Sequence, residues 1–204
     1  MSAGVEAVAA ALSGGELAVV PTDTVYGLAA TADGPSPARR LYEAKGRAPS
    51  QPTALVAGSV EEILERVPEA RGLAAALRAL LPGPFTVVLP NPAQRFAWLC
   101  GSRPDAIGVR VPAVSGVAHE LLSRAGPLVA TSANLPGGPD PRSLADVPPE
   151  IVAAAAATLD GGELPGTPST VVDLTGPGPE PRVLREGAVP AAATLARLRA
   201  AARA

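Results

Sequence analysis

The amino-acid sequence predicts an α/β domain built on a mixed β-sheet. Short runs rich in Val, Leu and Ala alternate along the chain with segments whose apolar residues recur at helical spacing. Alternation of this kind is typical of a sheet covered by helices. No internal repeat and no shift in composition divides the 204 residues, so we predict one domain spanning residues 1–204.

The predicted helices are bounded by residues that favour helix starts and stops. A glycine pair at 14–15 ends the first helix, and Ser36 with Pro37 supplies a cap and a first turn to the second. Ser59 opens a capping-box sequence, and a Pro-Gly-Pro segment at 82–84 stops the fourth helix. The predicted helices cover residues 3–13, 36–45, 59–67, 73–80, 115–124, 151–157 and 190–203.

The predicted strands are short apolar runs bounded by Pro or Gly. Residues 90–104 are predicted to be irregular, and residues 134–149 are predicted to form a loop because they are crowded with Pro, Gly and Asp. The predicted strands cover residues 17–20, 54–57, 85–89, 107–111, 128–131, 158–160, 169–174 and 182–185.

The composition excludes several classes of protein. A formal charge of -2 argues against binding nucleic acid by bulk electrostatics. No apolar run reaches the length of a membrane span, and the amino terminus lacks the features of a signal peptide, so we predict a cytoplasmic protein without membrane contact. Cys100 and His119 are the only residues of their types, which argues against disulfides, zinc clusters and histidine-based triads; neither is assigned a role.

Lys45 is the only lysine among 17 basic residues. An ammonium group can donate to several phosphate oxygens at once, whereas the planar guanidinium of Arg suits recognition of two oxygens. A lysine kept where every other basic residue is Arg therefore favours a polyphosphate site at this position. The chance survival of one lysine explains the same observation.

Polar residues lie next to predicted strands or helix ends at four places. Because ligands of α/β sheets bind at loops that follow strand ends, we expect these segments to converge on one crevice. The first three also have a purely structural explanation: a turn, a pair of charges at a helix end, and an ordinary loop entry, respectively. The four segments are Thr22-Asp23-Thr24, Lys45-Gly46-Arg47, Ser132-Ala133-Asn134 and Ser169-Thr170.

Arg110 differs from these polar segments because it lies inside an apolar strand, where an unpaired charge would be costly. It therefore needs an anionic partner. A substrate carboxylate and a structural Asp are both candidates, and the substrate carboxylate is preferred. The sequence contains neither a Walker A motif nor a G-x-G-x-x-G pattern after a strand, so any phosphate would be held by side chains from several loops.

Six sequence segments, in order between about residues 5 and 187, resemble the YrdC-type family of L-threonylcarbamoyladenylate synthases. Each segment alone is a weak signal, but six in the same order are highly specific. They are Pro21-Thr22-Asp23-Thr24-Val25-Tyr26-Gly27-Leu28, Lys45-Gly46-Arg47, Pro82-Gly83-Pro84-Phe85-Thr86, Val109-Arg110-Val111-Pro112, Thr131-Ser132-Ala133-Asn134 and Ser169-Thr170-Val171-Val172-Asp173.

This resemblance implies an enzyme that converts L-threonine, bicarbonate or CO2, and ATP into threonylcarbamoyl-AMP and pyrophosphate for the modification of tRNA. It implies a twisted mixed sheet with helices on its faces and an open concave cleft. Mg2+ would accompany ATP, with no metal held by the protein alone. The resemblance assigns Lys45, Arg47, Ser132 and Asn134 to catalysis; these four with Gln51 and Arg185 to ATP; and Thr24, Arg110, Ala130 and Ser169 to threonine.

The chain departs from the family pattern after Arg47. Gln51 stands where an Asn is usual, and the His expected near Val56 is missing. A chain of 204 residues resembles the short form of the family, without a second domain. The partners implied are tRNA and the proteins that transfer the threonylcarbamoyl group. Two other functions fit the same residues: a non-catalytic module binding double-stranded RNA or tRNA, and a carbamoyl-adenylating enzyme with a different acceptor.

Overall fold

The computed structural model describes residues 3–176 and 181–203. The limits of the predicted domain at residues 1 and 204 lie outside these ranges. The strands within them are short, and most match an apolar run of the sequence. They are β1 (Ala18–Val20), β2 (Gly27–Thr31), β3 (Ala54–Val56), β4 (Phe85–Pro90), β5 (Ala106–Arg110), β6 (Leu128–Ser132), β7 (Ala157–Thr158), β8 (Thr170–Asp173) and β9 (Arg182–Arg185).

The strands form one mixed sheet in the order β7-β1-β2-β6-β3-β5-β4-β8-β9. The pairs β1·β7, β3·β5 and β4·β8 are parallel, and the other neighbours are antiparallel. Ala130 of β6 lies opposite Ala54 of β3, which in turn lies opposite Gly108 of β5. The centre of the sheet therefore carries a row of very small residues across three strands.

The helices begin and end near the predicted residues. Ser59 accepts a hydrogen bond from the backbone of Glu62 at 3.1 Å, as the capping-box sequence predicts. Gly46 ends the second helix in the left-handed conformation (φ 60°), which glycine adopts without strain. The helices are α1 (Ala3–Ser13), α2 (Pro35–Lys45), α3 (Val60–Arg66), α4 (Ala74–Leu80), α5 (Gly116–Ala125), α6 (Pro149–Ala154) and α7 (Ala191–Ala201).

The two faces of the sheet are covered to different extents. On one face, alternate strand residues such as Val87, Val109 and Val129 are fully buried in the larger core, together with apolar residues of α2, α3 and α4. On the other face, α1 and α5 pack over β1, β2, the start of β6 and Val56 at the end of β3. The remaining part of this face, over β3, β4, β5 and β8, lies open as a cavity.

The sheet differs from the sequence prediction at two strands. The sequence Gly27–Thr31 has little β-propensity, yet it forms β2, fully paired between β1 and β6. The helix predicted over 151–157 ends at Ala154, because Ala157 and Thr158 pair with β1 instead. In both places, pairing with a neighbouring strand outweighs the local conformational preference of the small residues. Among the described residues, no helix is both long enough and apolar enough to cross a bilayer.

Candidate active site

The uncovered face of the sheet forms a cavity of about 560 Å³. Ala54, Gly108 and Ala130 lie on its floor, where their small size leaves room above the strands. The four polar segments converge on one cavity, as expected, because Thr22, Arg47, Ser132 and Ser169 all line it. The cavity lies over the sheet itself, because α1 and α5 leave that face bare. Six predicted site residues line it: Arg47, Arg110, Ala130, Ser132, Ser169 and Arg185.

Lys45 lies at the end of α2 and is only 3% exposed. Its ammonium donates to the backbone oxygen of Ser132 at 2.6 Å, to Oδ1 of Asn134 at 2.8 Å, and to the backbone oxygen of Asn134. Three rotatable protons thus meet three oxygens around one turn, an arrangement that a planar guanidinium cannot copy. Desolvation and the nearby positive charge of Arg47 lower the pKa of Lys45 to about 8.

Asn134 joins Lys45 to the loop that follows β6. Its Oδ1 accepts from both Lys45 and the hydroxyl of Ser132, the latter at 2.7 Å. Its Nδ2 donates to the backbone oxygen of Gly138 at 2.8 Å. Lys45 and Asn134 are absent from the cavity lining, whereas Ser132 lies in it. In this structure the lysine and the asparagine therefore shape the wall that Ser132 presents.

Arg47 lines the cavity and connects three pieces of chain. Its guanidinium donates to Thr131 Oγ1 at 2.8 Å, to the backbone oxygen of Pro52 at 3.0 Å and to Gln51 Oε1 at 3.2 Å. Gln51 is exposed and lies outside the cavity lining, where it supports the arginine. These contacts fix the direction of the Arg47 side chain before any ligand arrives.

Arg110 reaches from β5 to the loop after β1. Its Nη2 donates to Thr24 Oγ1 at 2.6 Å and forms an ion pair with Asp23. The other carboxylate oxygen of Asp23 accepts from the backbone of Ala113 at 2.9 Å. Among the described residues, the buried Nε of Arg110 has no hydrogen-bond partner. A structural Asp therefore pairs with Nη2 of this guanidinium, and the buried Nε–H is left unsatisfied, which costs free energy.

Thr24 is fully buried behind Arg110 and outside the cavity lining, so it contacts the arginine and not the open space. On the other side, Ser169 precedes β8 and shares a hydrogen bond of 2.9 Å with Thr86 of β4. Arg185 of β9 donates to the backbone oxygen of Ser169 at 2.8 Å. Partial desolvation and the neighbouring charge of Arg110 lower the pKa of Arg185.

The cavity combines four arginines with a single carboxylate, that of Asp140, among its described lining residues. Arg103 and Asp140 cannot be singled out from the sequence, because nothing in their local sequence distinguishes them from surface residues. Cys100, to which no role was assigned, lies in the wall at 2% exposure, and burial raises the pKa of its thiol. The excess of positive charge makes this cavity a receptor for anions.

The described part of the chain contains no group of three or more His, Cys, Asp or Glu residues able to hold a metal ion. A single carboxylate in the cavity nevertheless fits a magnesium ion whose other ligands come from phosphate and water. His119 is exposed beside a separate cavity of about 420 Å³ that is lined mainly by residues 112–123. It lies outside the lining of the arginine-rich cavity.

Comparison with known proteins identifies the family. The family model Sua5_yciO_yrdC, described as Telomere recombination, matches residues 10–187. A Mycobacterium tuberculosis protein is 35% identical over 192 residues, which cover 92% of this chain and 86% of the relative. The threonylcarbamoyl-AMP synthase of Pyrococcus abyssi is 36% identical over 182 residues, covering 86% of this chain and 52% of that protein.

A solved structure gives the same result. The crystal structure of P. abyssi Sua5 complexed with L-threonine superposes with a TM-score of 0.82 at 34% identity, over 95% of this chain and 56% of the other. The chain thus spans a little more than half the length of that archaeal protein. Sequence and fold agree over almost all the described residues, and the chain belongs to the Sua5/YciO/YrdC family, which includes the threonylcarbamoyl-AMP synthases.

Proposed function

We propose that this chain is a threonylcarbamoyl-AMP synthase, an ATP-dependent nucleotidyltransferase that uses L-threonine, bicarbonate or CO2, and ATP. One observation carries the proposal: Arg110, from the threonine group of predicted residues, lines the same cavity as Arg47 and Ser132, from the nucleotide group. Relatives that bear the synthase name and are 36% and 33% identical to this chain over the aligned residues support it.

The threonine end of the cavity is assigned to the surroundings of Arg110. Asp23 and Thr24 hold Nη2 of its guanidinium, and we assign Nη1 to the substrate carboxylate. The opposite charges of a guanidinium and a carboxylate strengthen the hydrogen bond between them. Ser169 and Ala130 line the same space and would contact the rest of the amino acid. The P. abyssi relative crystallised with L-threonine supports this substrate.

The nucleotide end is assigned to Arg47, Ser132 and Arg185, with Lys45 and Asn134 behind them. Arg47 is held by Thr131 and Gln51, so its charge is positioned before ATP arrives. Guanidinium groups arranged in this way stabilise the negative charge that grows on a leaving pyrophosphate. A role of Lys45 in direct phosphate contact requires its ammonium to exchange one of its three oxygen partners for a phosphate oxygen.

The proposed reaction has two steps. The amine of threonine adds to CO2 and loses a proton, which gives a carbamate. A carbamate oxygen then attacks the α-phosphorus of ATP, a new P–O bond forms, and the bond to the pyrophosphate oxygen breaks. No covalent enzyme intermediate and no histidine base is needed, so orientation and charge stabilisation supply most of the acceleration.

Mg2+ is the cofactor that we propose, entering with ATP. When bound to the triphosphate, it neutralises part of the charge that develops on pyrophosphate. We further propose that the product serves the threonylcarbamoyl modification of tRNA in the cytoplasm, with other proteins transferring the group.

Mass spectrometry of a reaction containing ATP, bicarbonate and threonine tests the proposal. The expected result is the mixed anhydride threonylcarbamoyl-AMP together with pyrophosphate, dependent on all three substrates. Binding of tRNA without any binding of threonine or ATP would instead favour a non-catalytic RNA-binding module. Adenylate formation that ignores threonine but follows another carbamoyl acceptor would favour a different acceptor specificity.

A further inference from the structure

Asp140 is the one carboxylate among the described residues that line the cavity. It is half-buried, and it makes no hydrogen bond or ion pair with any residue in the ranges 3–176 and 181–203. The other acidic residue near this face, Asp23, is committed to Arg110 and to a backbone amide. The cavity otherwise attracts anions, and the Asp140 carboxylate has no hydrogen-bond partner among the described residues. A ligand that carries a cation would give it one.

The position of Asp140 is fixed by the residues on both sides of it. Prolines at 139 and 141 restrict the backbone on either side. The loop is held at Gly138 by the side-chain amide of Asn134, and the backbone oxygen of Pro141 accepts from Tyr26 at 2.9 Å. The backbone of Asp140 is therefore held in place, while its carboxylate makes no hydrogen bond with the described residues.

The charge of Asp140 acts at the nucleotide end of the cavity. Desolvation lowers the pKa values of both Lys45 and Arg185, and the negative charge of Asp140 opposes both shifts. These two residues belong to the group assigned to ATP. A triphosphate entering there thus meets a carboxylate as well as the cationic side chains.

We propose that Asp140 makes the nucleotide site selective for the magnesium complex of ATP over metal-free ATP. The inference rests on the proposed function. Metal-free triphosphate carries closely spaced negative charges that Asp140 repels, whereas a magnesium ion on the phosphates gives the carboxylate a cation to face. This residue therefore determines specificity for the form of the nucleotide, and its carboxylate makes no hydrogen bond with the described residues.

Calorimetric titration of ATP, once with excess Mg2+ and once with EDTA, tests the proposal on the full chain. We expect the wild type to bind the magnesium complex about tenfold more tightly, and Asp140→Asn to reduce this preference to about threefold or less. Asp140→Glu keeps the charge and should keep most of the preference. Glu65→Gln, the same loss of charge on an exposed residue of α3, should behave as the wild type.

The outcomes separate the two proposals. ATP binding with the same magnesium preference in wild type and Asp140→Asn overturns the role of Asp140 and leaves the synthase function standing. Absence of ATP binding under both conditions in the wild type overturns both proposals. Because Asp140 makes no hydrogen bond in the described structure, Asp140→Asn should melt at the temperature of the wild type, which a thermal shift measurement checks.

Discussion

The ammonium of Lys45 donates a hydrogen bond to Oδ1 of Asn134 at 2.8 Å, although the two residues lie 89 positions apart in the sequence. The same amide side chain holds the loop at Gly138, which leads to Asp140. One buried lysine thus stabilises both the end of β6 and the loop beside the nucleotide site. Its role is therefore to shape the site as well as to supply charge.

Lys45→Ala should reduce pyrophosphate release by about 100-fold or more, because it removes a positive charge and releases the turn that presents Ser132. The carbonyl oxygens left behind should lower the free energy of unfolding by about 1–3 kcal/mol. Steady-state kinetics and urea unfolding measure the two effects. Arg39→Ala, on the exposed face of α2, is the control and should change neither. Turnover of Lys45→Ala within a fewfold of the wild type would show that the role is wrong.

Activity should decline as the pH rises through about 8, the pKa to which desolvation lowers the Lys45 ammonium. Below this pH the lysine is charged and donates to its three oxygens; above it, one proton and the charge are lost. We expect kcat/KM for ATP to fall up to about tenfold per pH unit above the transition. In Lys45→Ala the same profile should be flat between pH 7 and 9. An equal decline in this variant would assign the pH dependence to another group.

Arg110→Ala should raise the KM for threonine by about 100-fold or more and leave ATP binding within about threefold, because the cation that pairs with the threonine carboxylate is lost. The variant also leaves Asp23, whose side chain is 7% exposed, without its ion-pair partner, which should cost about 3 kcal/mol of stability.

The double variant Arg110→Ala, Asp23→Ala separates these two effects on the protein. It removes both charges, so stability should recover while threonine binding stays weak. Calorimetry with threonine and urea unfolding give the two readouts. Recovery of threonine affinity along with stability would mean that Arg110 acts only through the fold.

Gly108→Ala should weaken substrate binding without harming the fold. A Cβ at this position would meet no atom closer than 3.7 Å, so the strand accepts it, and stability should rise by about 0.5 kcal/mol. The added methyl group would occupy the floor of the cavity and should raise the KM for threonine by about tenfold. Gly72→Ala, where a Cβ would meet no atom within 4 Å, is the matched control for stability. An unchanged KM in Gly108→Ala would place the substrate elsewhere.

The sequence predicts the alternation of helices and strands because local signals specify it. The Ser59 cap, the Gly46 stop and the proline-glycine segment after Leu80 all act within a few residues of the helix ends that they define. β2 escapes prediction and β7 begins one residue before the predicted strand, since small residues carry little local preference and become strands only by pairing with neighbours.

The candidate site also has residues that the sequence predicts and contacts that it does not. The sequence alone identifies Arg110 as a charge in need of an anion, because an arginine within an apolar strand is costly wherever the strand lies. It also singles out Lys45, Arg47, Ser132 and Ser169 by residue type and position. These inferences depend on side-chain chemistry, which the residue types in the sequence specify directly.

Only the tertiary structure decides which groups these residues face. Asp23 as the partner of Arg110 and the three oxygens around Lys45 both join residues that are distant in the chain. The Asp140 carboxylate, which has no hydrogen bond to any described residue, reaches the cavity lining only because its loop folds there. The cavity itself exists because α1 and α5 leave part of one sheet face uncovered, a consequence of packing between elements that no local segment encodes.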